Sequence, residues 1–289
     1  MRPFVLPLLL LPFLLMAQPD TDIYLLSVSS QGDQLVLSDS KNITPRKGYD
    51  NQPCFTPDGK GLLYVAAQLD GQTEVYRYDL GSGSSKRLTQ TKKRSEYSPT
   101  VMPDGEHISV VVVEEDSSQR IWAVPLEGGA GKRLTDKVEF IGYYAWYHKK
   151  KMAAFLLGDV FTLQCFHVKK QKPQVLAENI GRAVQIRPTD GAVSFVQKGE
   201  ATPWKIRSWH PKTKDIQDIV PVLDGSEDYC WTPEGHLLMG KGSELFRFRP
   251  GIDQDWQSLG ALGVGDFYRL AMSPDGKNLA VVVFKGDKP

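Results

Sequence analysis

Phe55-Thr56-Pro57-Asp58-Gly59-Lys60 decides how this chain is read. Its central tripeptide returns as Pro103-Asp104-Gly105, Pro233-Glu234-Gly235 and Pro274-Asp275-Gly276, and more loosely as Pro188-Thr189-Asp190-Gly191. The first two copies stand 46 residues apart, and so do Arg87-Leu88-Thr89 and Arg133-Leu134-Thr135, which close the two units. Self-similarity at a fixed period marks one supersecondary unit used repeatedly. The turn has a mechanism: Pro presets φ for the first corner, Asp bonds its own backbone, and Gly accepts the positive φ that closes a hairpin.

Working outward from the first turn, Pro53-Cys54-Phe55 reads as a short strand and residues 62–67 as an apolar one. The alternating Glu74-Val75-Tyr76-Arg77-Tyr78 reads as a third, and Lys86-Arg87-Leu88-Thr89 as a fourth. Four strands per unit make a propeller blade. The second unit spans residues 98–135, and the third replaces the turn by Tyr147-His148-Lys149-Lys150. Two further units follow, and a sixth offers only two strands, at residues 268–272 and 279–284. The missing pair lies at the other end, in Asp22-Ile23-Tyr24-Leu25-Leu26 and Lys41-Asn42-Ile43-Thr44. The sequence thus predicts an all-β, six-bladed β-propeller over residues 18–289, with four-stranded antiparallel blades. N-terminal strands complete the last blade and hide the edges an open sheet would expose.

Ahead of the propeller, Arg2 and an almost unbroken apolar run from Phe4 to Met16 lead into Ala17-Gln18-Pro19-Asp20. Residues 1–17 read as a secretory signal peptide cleaved after Ala17, with an apolar stretch short of a membrane span and interrupted by Pro7 and Pro12. The expected location is periplasmic or secreted, with no integral membrane segment after cleavage. The chain has 35 Lys and Arg against 34 Asp and Glu, and losing Arg2 leaves the two balanced. That balance argues against nucleic acid as a partner, since duplex binding needs a strong basic excess. Cys54, Cys165 and Cys230 are an odd, sparse set. Cys54 and Cys230 hold the same place in non-neighbouring units, too far apart for a disulfide, so all three read as buried free thiols.

The pattern aromatic-Ser/Thr-Pro-Asp-Gly-Lys stands complete at Phe55–Lys60 and in part at Met272-Ser273-Pro274-Asp275-Gly276-Lys277. In this the chain resembles the TolB-like six-bladed β-propellers with WD-repeat-like units. The resemblance covers essentially the whole mature chain and implies an envelope protein that binds a protein partner with its propeller. Similar propellers also serve as gating domains of peptidases. No counterpart of the additional N-terminal α/β domain of that family's namesake is expected in this sequence, which argues against a role in the same envelope system.

Catalytic motifs are sparse. No Gly-x-Ser-x-Gly elbow occurs, and Gly128-Gly129-Ala130-Gly131-Lys132 has the wrong spacing for a phosphate loop and reads as a hairpin turn. His107, His148, His167, His210 and His236 have no metal-ligand spacing, so no metal or cofactor is expected. Two constellations remain. Side chains at the start of each innermost strand point at the channel mouth, which gathers Asp50, Glu96, Glu227, Asp228 and Asp266 there with Tyr143. Tyr49, Tyr97, Tyr144 and Tyr229 add an aromatic rim. Such carboxylates repel one another unless a cation, a basic partner or a hydrogen-bond donor offsets them. They form a ligand-binding mouth, or else they bond loop amides while the tyrosines cover the core. The second constellation is basic. Lys149, Lys150 and Lys151 lie in the first turn of the third blade and Lys169, Lys170 and Lys172 in its last, with Lys212 and Lys214 in the last turn of the fourth. They are a partner-binding edge or plain solvated surface. The function these readings imply is non-enzymatic binding of a protein, peptide or cell-envelope component through the loop faces or mouth. The alternative is a metal-dependent propeller enzyme, lactonase-like or glycan-cleaving, working at that mouth.

Overall fold

A computed structural model describes residues 18–32, 34–199 and 203–286. The leader expected at residues 1–17 lies outside the described residues. Twenty-four strands form six sheets of four antiparallel strands each, arranged as the blades of a ring. The innermost strands are Asp50–Phe55, Ser95–Val101, Ile141–His148, Ile180–Ile186, Tyr229–Trp231 and Phe267–Met272 for blades one to six. Each starts on one face of the ring, the mouth face, and runs toward the other, the turn face, which carries the Pro-Asp-Gly turns.

The second strand of each blade shows why the sheets must stack. In blade one it is Gly61–Ala67, and side chains on a strand alternate between faces. Leu63 and Val65 pack with Ile108, Val110 and Val112 of blade two. Leu62, Tyr64 and Ala66 pack with Ile23, Ala280 and Val282 of blade six. Both faces are buried, so the strand reads as a continuous apolar run rather than an alternating one. Six such clusters occur, one in each seam between adjacent blades.

Ring closure follows the expected route with longer strands. Thr21–Gln31 pairs with Asn278–Phe284 on one side and with Gln34–Asn42 on the other. The added part, Ser27-Val28-Ser29-Ser30-Gln31, is mostly polar and sits toward the exposed rim, so hydrophobic pattern alone did not mark it. In blade three, which lacks the Pro-Asp-Gly turn, His148 pairs with Lys151 across Lys149 and Lys150.

The turns work as their chemistry predicts. Gly59 has φ of +67°, the Asp58 carboxylate accepts from the Thr56 hydroxyl at 2.6 Å and the Lys60 N–H at 3.0 Å, and the Thr56 hydroxyl accepts from Gly61 N–H at 2.8 Å. Ser273 and Asp275 repeat the arrangement in blade six. The closing motif acts differently from a fourth strand. The outer strands end at Arg87, Arg133 and Asn42, and the next two residues turn inward. Thr89 Oγ1 accepts from Val75 N–H at 2.8 Å, Thr135 Oγ1 from Ile121 N–H at 3.0 Å, and Thr44 Oγ1 from Ile23 N–H at 2.8 Å. All three threonines are buried, so the hydroxyl supplies the acceptor that the ended ladder no longer provides.

Two outcomes test this account. Deleting residues 21–45 uncovers the apolar strand Asn278–Phe284, and light scattering should report aggregation; a monomer of unchanged Tm would contradict ring closure. Thr135→Val leaves the buried Ile121 N–H without its acceptor and should cost about 1–3 kcal/mol in denaturant unfolding, whereas Thr135→Ser should cost much less.

Candidate functional site

The inner strands of every blade but the fifth carry a break in pairing register near their start that aims their side chains. Gln52 and Ser98 occupy equivalent places in blades one and two with φ of +56° and +52°, at breaks in the pairing register. A similar break between Phe267 and Arg269 opens blade six. One extra residue in a strand changes which side chain faces inward, and here it turns Arg269 onto the axis.

Arg269 bridges the channel. Its guanidinium donates to Asn51 Oδ1 at 2.9 Å and to the Tyr143 hydroxyl at 3.2 Å, and its Nε lies 3.5 Å from Asp228 Oδ1. Arg182 donates through Nε to both Asp228 oxygens at 3.2 Å and through Nη2 to Oδ2. Asn51 in turn donates to the Tyr268 hydroxyl. Five blades thus meet in one hydrogen-bonded plug. Its members differ in exposure, with the Arg269 side chain 12% exposed and that of Arg182 37%. Burial alone would push Asp228 up; the charges of Arg269 and Arg182, with their hydrogen bonds, outweigh it and hold the carboxyl below its usual range. Below the plug, the inner strands of all six blades line an axial cavity of about 590 Å³. Above it, on the mouth face, a groove of about 1020 Å³ lies between blades four, five and six, with Trp204, Glu227, Lys241 and Phe267 among its walls.

The carboxylates expected at the mouth do not share one place. Asp228 is on the axis, with Tyr143 nearby. Glu227 lines the groove, accepting from Arg182 N–H and lying 3.3 Å from Lys198 Nζ, which itself sits 4.5 Å over the Trp204 ring. Asp266 is exposed beside Gly242 on the same side. Asp50 and Glu96 are buried in seams instead. They are repeat equivalents, and the Thr21 and Thr73 hydroxyls donate to their backbone oxygens at 2.9 and 2.8 Å. Asp50 lies between blades six and one, where Arg46 Nε donates to it at 3.1 Å. Burial nonetheless pushes it up to about 7. Glu96 lies between blades one and two beside Glu74. It accepts from the Thr91 hydroxyl at 2.8 Å, and Glu74 accepts from Arg87 at 2.7 Å and Thr91 N–H at 2.8 Å. The remaining oxygen of each, Oε2, is buried without a donor. Burial, reinforced by the neighbouring Glu74, pushes Glu96 up to about 8, so the pair holds a proton at neutral pH. Tyr144 and Tyr229 belong to the core, donating to Ser98 O at 3.1 Å and Ser194 Oγ at 2.8 Å.

Sequence reasoning missed the cations that offset the mouth, Arg182 and Arg269, although both stand two residues into their inner strands. It also missed an apolar ridge on the mouth face. Phe140 is 50% exposed, Val160 44% and Phe161 42%. The Phe161 ring packs 5.1 Å from Phe155, which lies 6.0 Å from Tyr143. Phe140 also has φ of +57°, a conformation that costs a bulky residue energy and that Asn179 shares, at +53°, before the inner strand of blade four. The lysines at 149, 150, 151, 169, 170 and 172 are all exposed on turns of blade three. Cys54, Cys165 and Cys230 are free thiols, half-buried in the first case and buried in the others.

With four-stranded blades in a ring of six and an axial channel, the chain can be set beside solved structures. A protein assigned as TolB from Agrobacterium tumefaciens superposes with a TM-score of 0.72 at 15% identity, covering 93% of this chain and 100% of that one. The fold is that of the TolB-like propellers. TolB from Acinetobacter baumannii matches with a TM-score of 0.60 at 15% identity, over 93% of this chain and 65% of the longer relative. A gluconolactonase from Xanthomonas campestris matches with a TM-score of 0.63 at 11% identity, over 93% and 97%. At such identities the likeness of TolB-like propellers concerns architecture alone, and binding proteins and enzymes share it. No family model and no curated protein matches the sequence. Among the described residues, no three His, Cys, Asp or Glu side chains converge in an arrangement that could hold a metal ion.

The seam carboxyls set a pH dependence. Asp50 and Glu96 have folded values raised above the ordinary carboxyl range near 4, so their contribution favours the folded state below that range and is lost as pH rises through about 7 to 8. Tm should therefore fall between pH 5 and pH 8. Glu96→Gln, which keeps a donor toward Glu74 without a titrating proton, should flatten that slope and raise Tm at pH 8 by several degrees.

Proposed function

We propose that this chain is an exported propeller that binds a protein or peptide on its mouth face. The observation that carries the reading is the exposed Phe140 on that face. The backbone conformation there belongs to the fold, since Asn179 before the next inner strand has φ of +53° and accepts from Lys198 N–H at 2.7 Å as Phe140 O does from Leu157 N–H at 2.9 Å; what the fold does not require is a half-exposed aromatic ring at that place. Phe140, Val160 and Phe161 lead through Phe155 to Tyr143 and the arginine centre, and beyond that centre lies the groove walled by Trp204 and Phe267. Exposed aromatics beside arginines are the composition of interface hot spots. The apolar leader supports export, and the shared architecture of TolB-like propellers is compatible with an envelope role.

Binding is favoured over catalysis by how the polar groups at the axis are engaged. Arg182, Arg269, Asn51, Asp228, Tyr143 and Tyr268 bond one another. The five histidines lie at the turn-face ends of their strands, away from the mouth. The lactonase-like or glycan-cleaving alternative would need Asp228 and Asn51 freed from Arg182 and Arg269 before either met a metal or substrate.

Phe140→Gly separates binding from folding. Glycine adopts this φ without strain, relieving roughly 1 kcal/mol, so Tm should hold or rise. Capture of envelope proteins on the immobilised variant should lose, by about tenfold, whatever band the wild type enriches, since a hot-spot residue contributes 1–2 kcal/mol or more. An unchanged set of captured bands would remove Phe140 from the interface and the reading with it.

A further inference from the structure

The turn face carries a second surface, distinct from the mouth. Three turns meet there. Val168 N–H donates to Lys150 O at 3.0 Å, joining the first and last turns of blade three. The Tyr147 ring packs 5.5 Å from Trp209 of blade four, and Lys214 Nζ stands 4.9 Å over that same indole. The patch holds Lys149, Lys150, Lys151, Lys169, Lys170, Lys172, Lys212 and Lys214, all exposed, and none makes an ion pair with a described residue.

Acidic groups do not offset it. Asp215 is the one carboxylate in these turns. At the border, Asp190 is committed to Arg187 Nε at 2.8 Å, and Asp136 lies 3.7 Å from Arg133. The whole chain carries a formal charge of only +1, so the rest of the molecule is acidic on balance and the positive charge is gathered here.

The geometry points to an anionic lipid bilayer as the partner of this patch. Lysine is depleted at protein–protein interfaces, where arginine and aromatics dominate, and the mouth face has that second composition. Eight exposed point charges on turns of one face, without a pocket to define a ligand, match a plane of phosphates, which attracts each basic residue separately. Docked this way, the propeller meets the membrane with the blade three and four edge of its turn face, because the exposed turns of the other blades carry Asp58, Asp104, Glu106, Glu234 and Asp275. The assignment is independent of what the mouth binds.

Co-sedimentation with phosphatidylcholine vesicles, with and without a minority of phosphatidylglycerol, tests it. The protein should pellet only with the anionic vesicles and be released as salt shortens the Debye length from about 8 Å toward about 3 Å. Replacing Lys149, Lys150, Lys151, Lys169 and Lys170 by Ser should weaken binding roughly fivefold per lysine, and the smaller pair Lys169→Glu with Lys170→Glu should also weaken it at unchanged Tm. Phe140→Gly should sediment as the wild type does. Equal pelleting with neutral and anionic vesicles would overturn the assignment, as would undiminished pelleting of the folded lysine variants. Retention on polyglutamate beads without vesicle binding would overturn it in favour of an acidic protein.

Discussion

Every blade of this ring needs a neighbour on both sides, and that need is imposed by the second strands. Leu62 and Leu63 face opposite seams, as do Val281 and Val282 in blade six. A sheet with two apolar faces cannot stand at an edge. Joining Thr21–Gln31 to Asn278–Phe284 removes the edges, and the axis exists because the ring is closed. The channel plug is therefore a product of closure, since its members come from blades one, three, four, five and six.

Charge is distributed in three ways that a net value near zero conceals. On the axis, two arginines share Asp228, and each partner fixes the other's geometry. In the seams, burial outweighs the partners of Asp50 and Glu96 and raises both carboxyls toward neutral pH. On the turn face at blades three and four, eight exposed lysines make no ion pair with a described residue. The mouth face and the turn face consequently present different chemistries to solvent.

The architecture was legible because turn chemistry is local. Pro57-Asp58-Gly59 needs only its own backbone to be recognised, and its recurrence marks five of the six blades, the third being read from its strands. The mouth was less legible because the residue facing inward at a strand start depends on register. The irregularities at Gln52, Ser98 and between Phe267 and Arg269 each change which side chain turns inward, and a period-two reading cannot place them. Asp50 and Glu96 were read one way and lie the other. Arg182 and Arg269 carried no motif, and Phe140 was hidden because a positive φ at an aromatic residue has no sequence signature. The threonine after each closing Leu or Ile was visible as a repeat, but its role as acceptor appears only where the outer strand ends.

Arg182 and Asp228 line both the groove and the axial cavity. One ion pair is thus a party wall between two chambers that open on opposite faces. A ligand in the groove that draws Arg182 toward itself alters the wall of the chamber below. Linkage requires the reverse effect to be equal, so an occupant of the axial cavity that changed the groove's affinity by some factor would find its own affinity changed by that same factor. The two chambers are therefore a thermodynamically coupled pair wherever occupancy of either one moves that arginine.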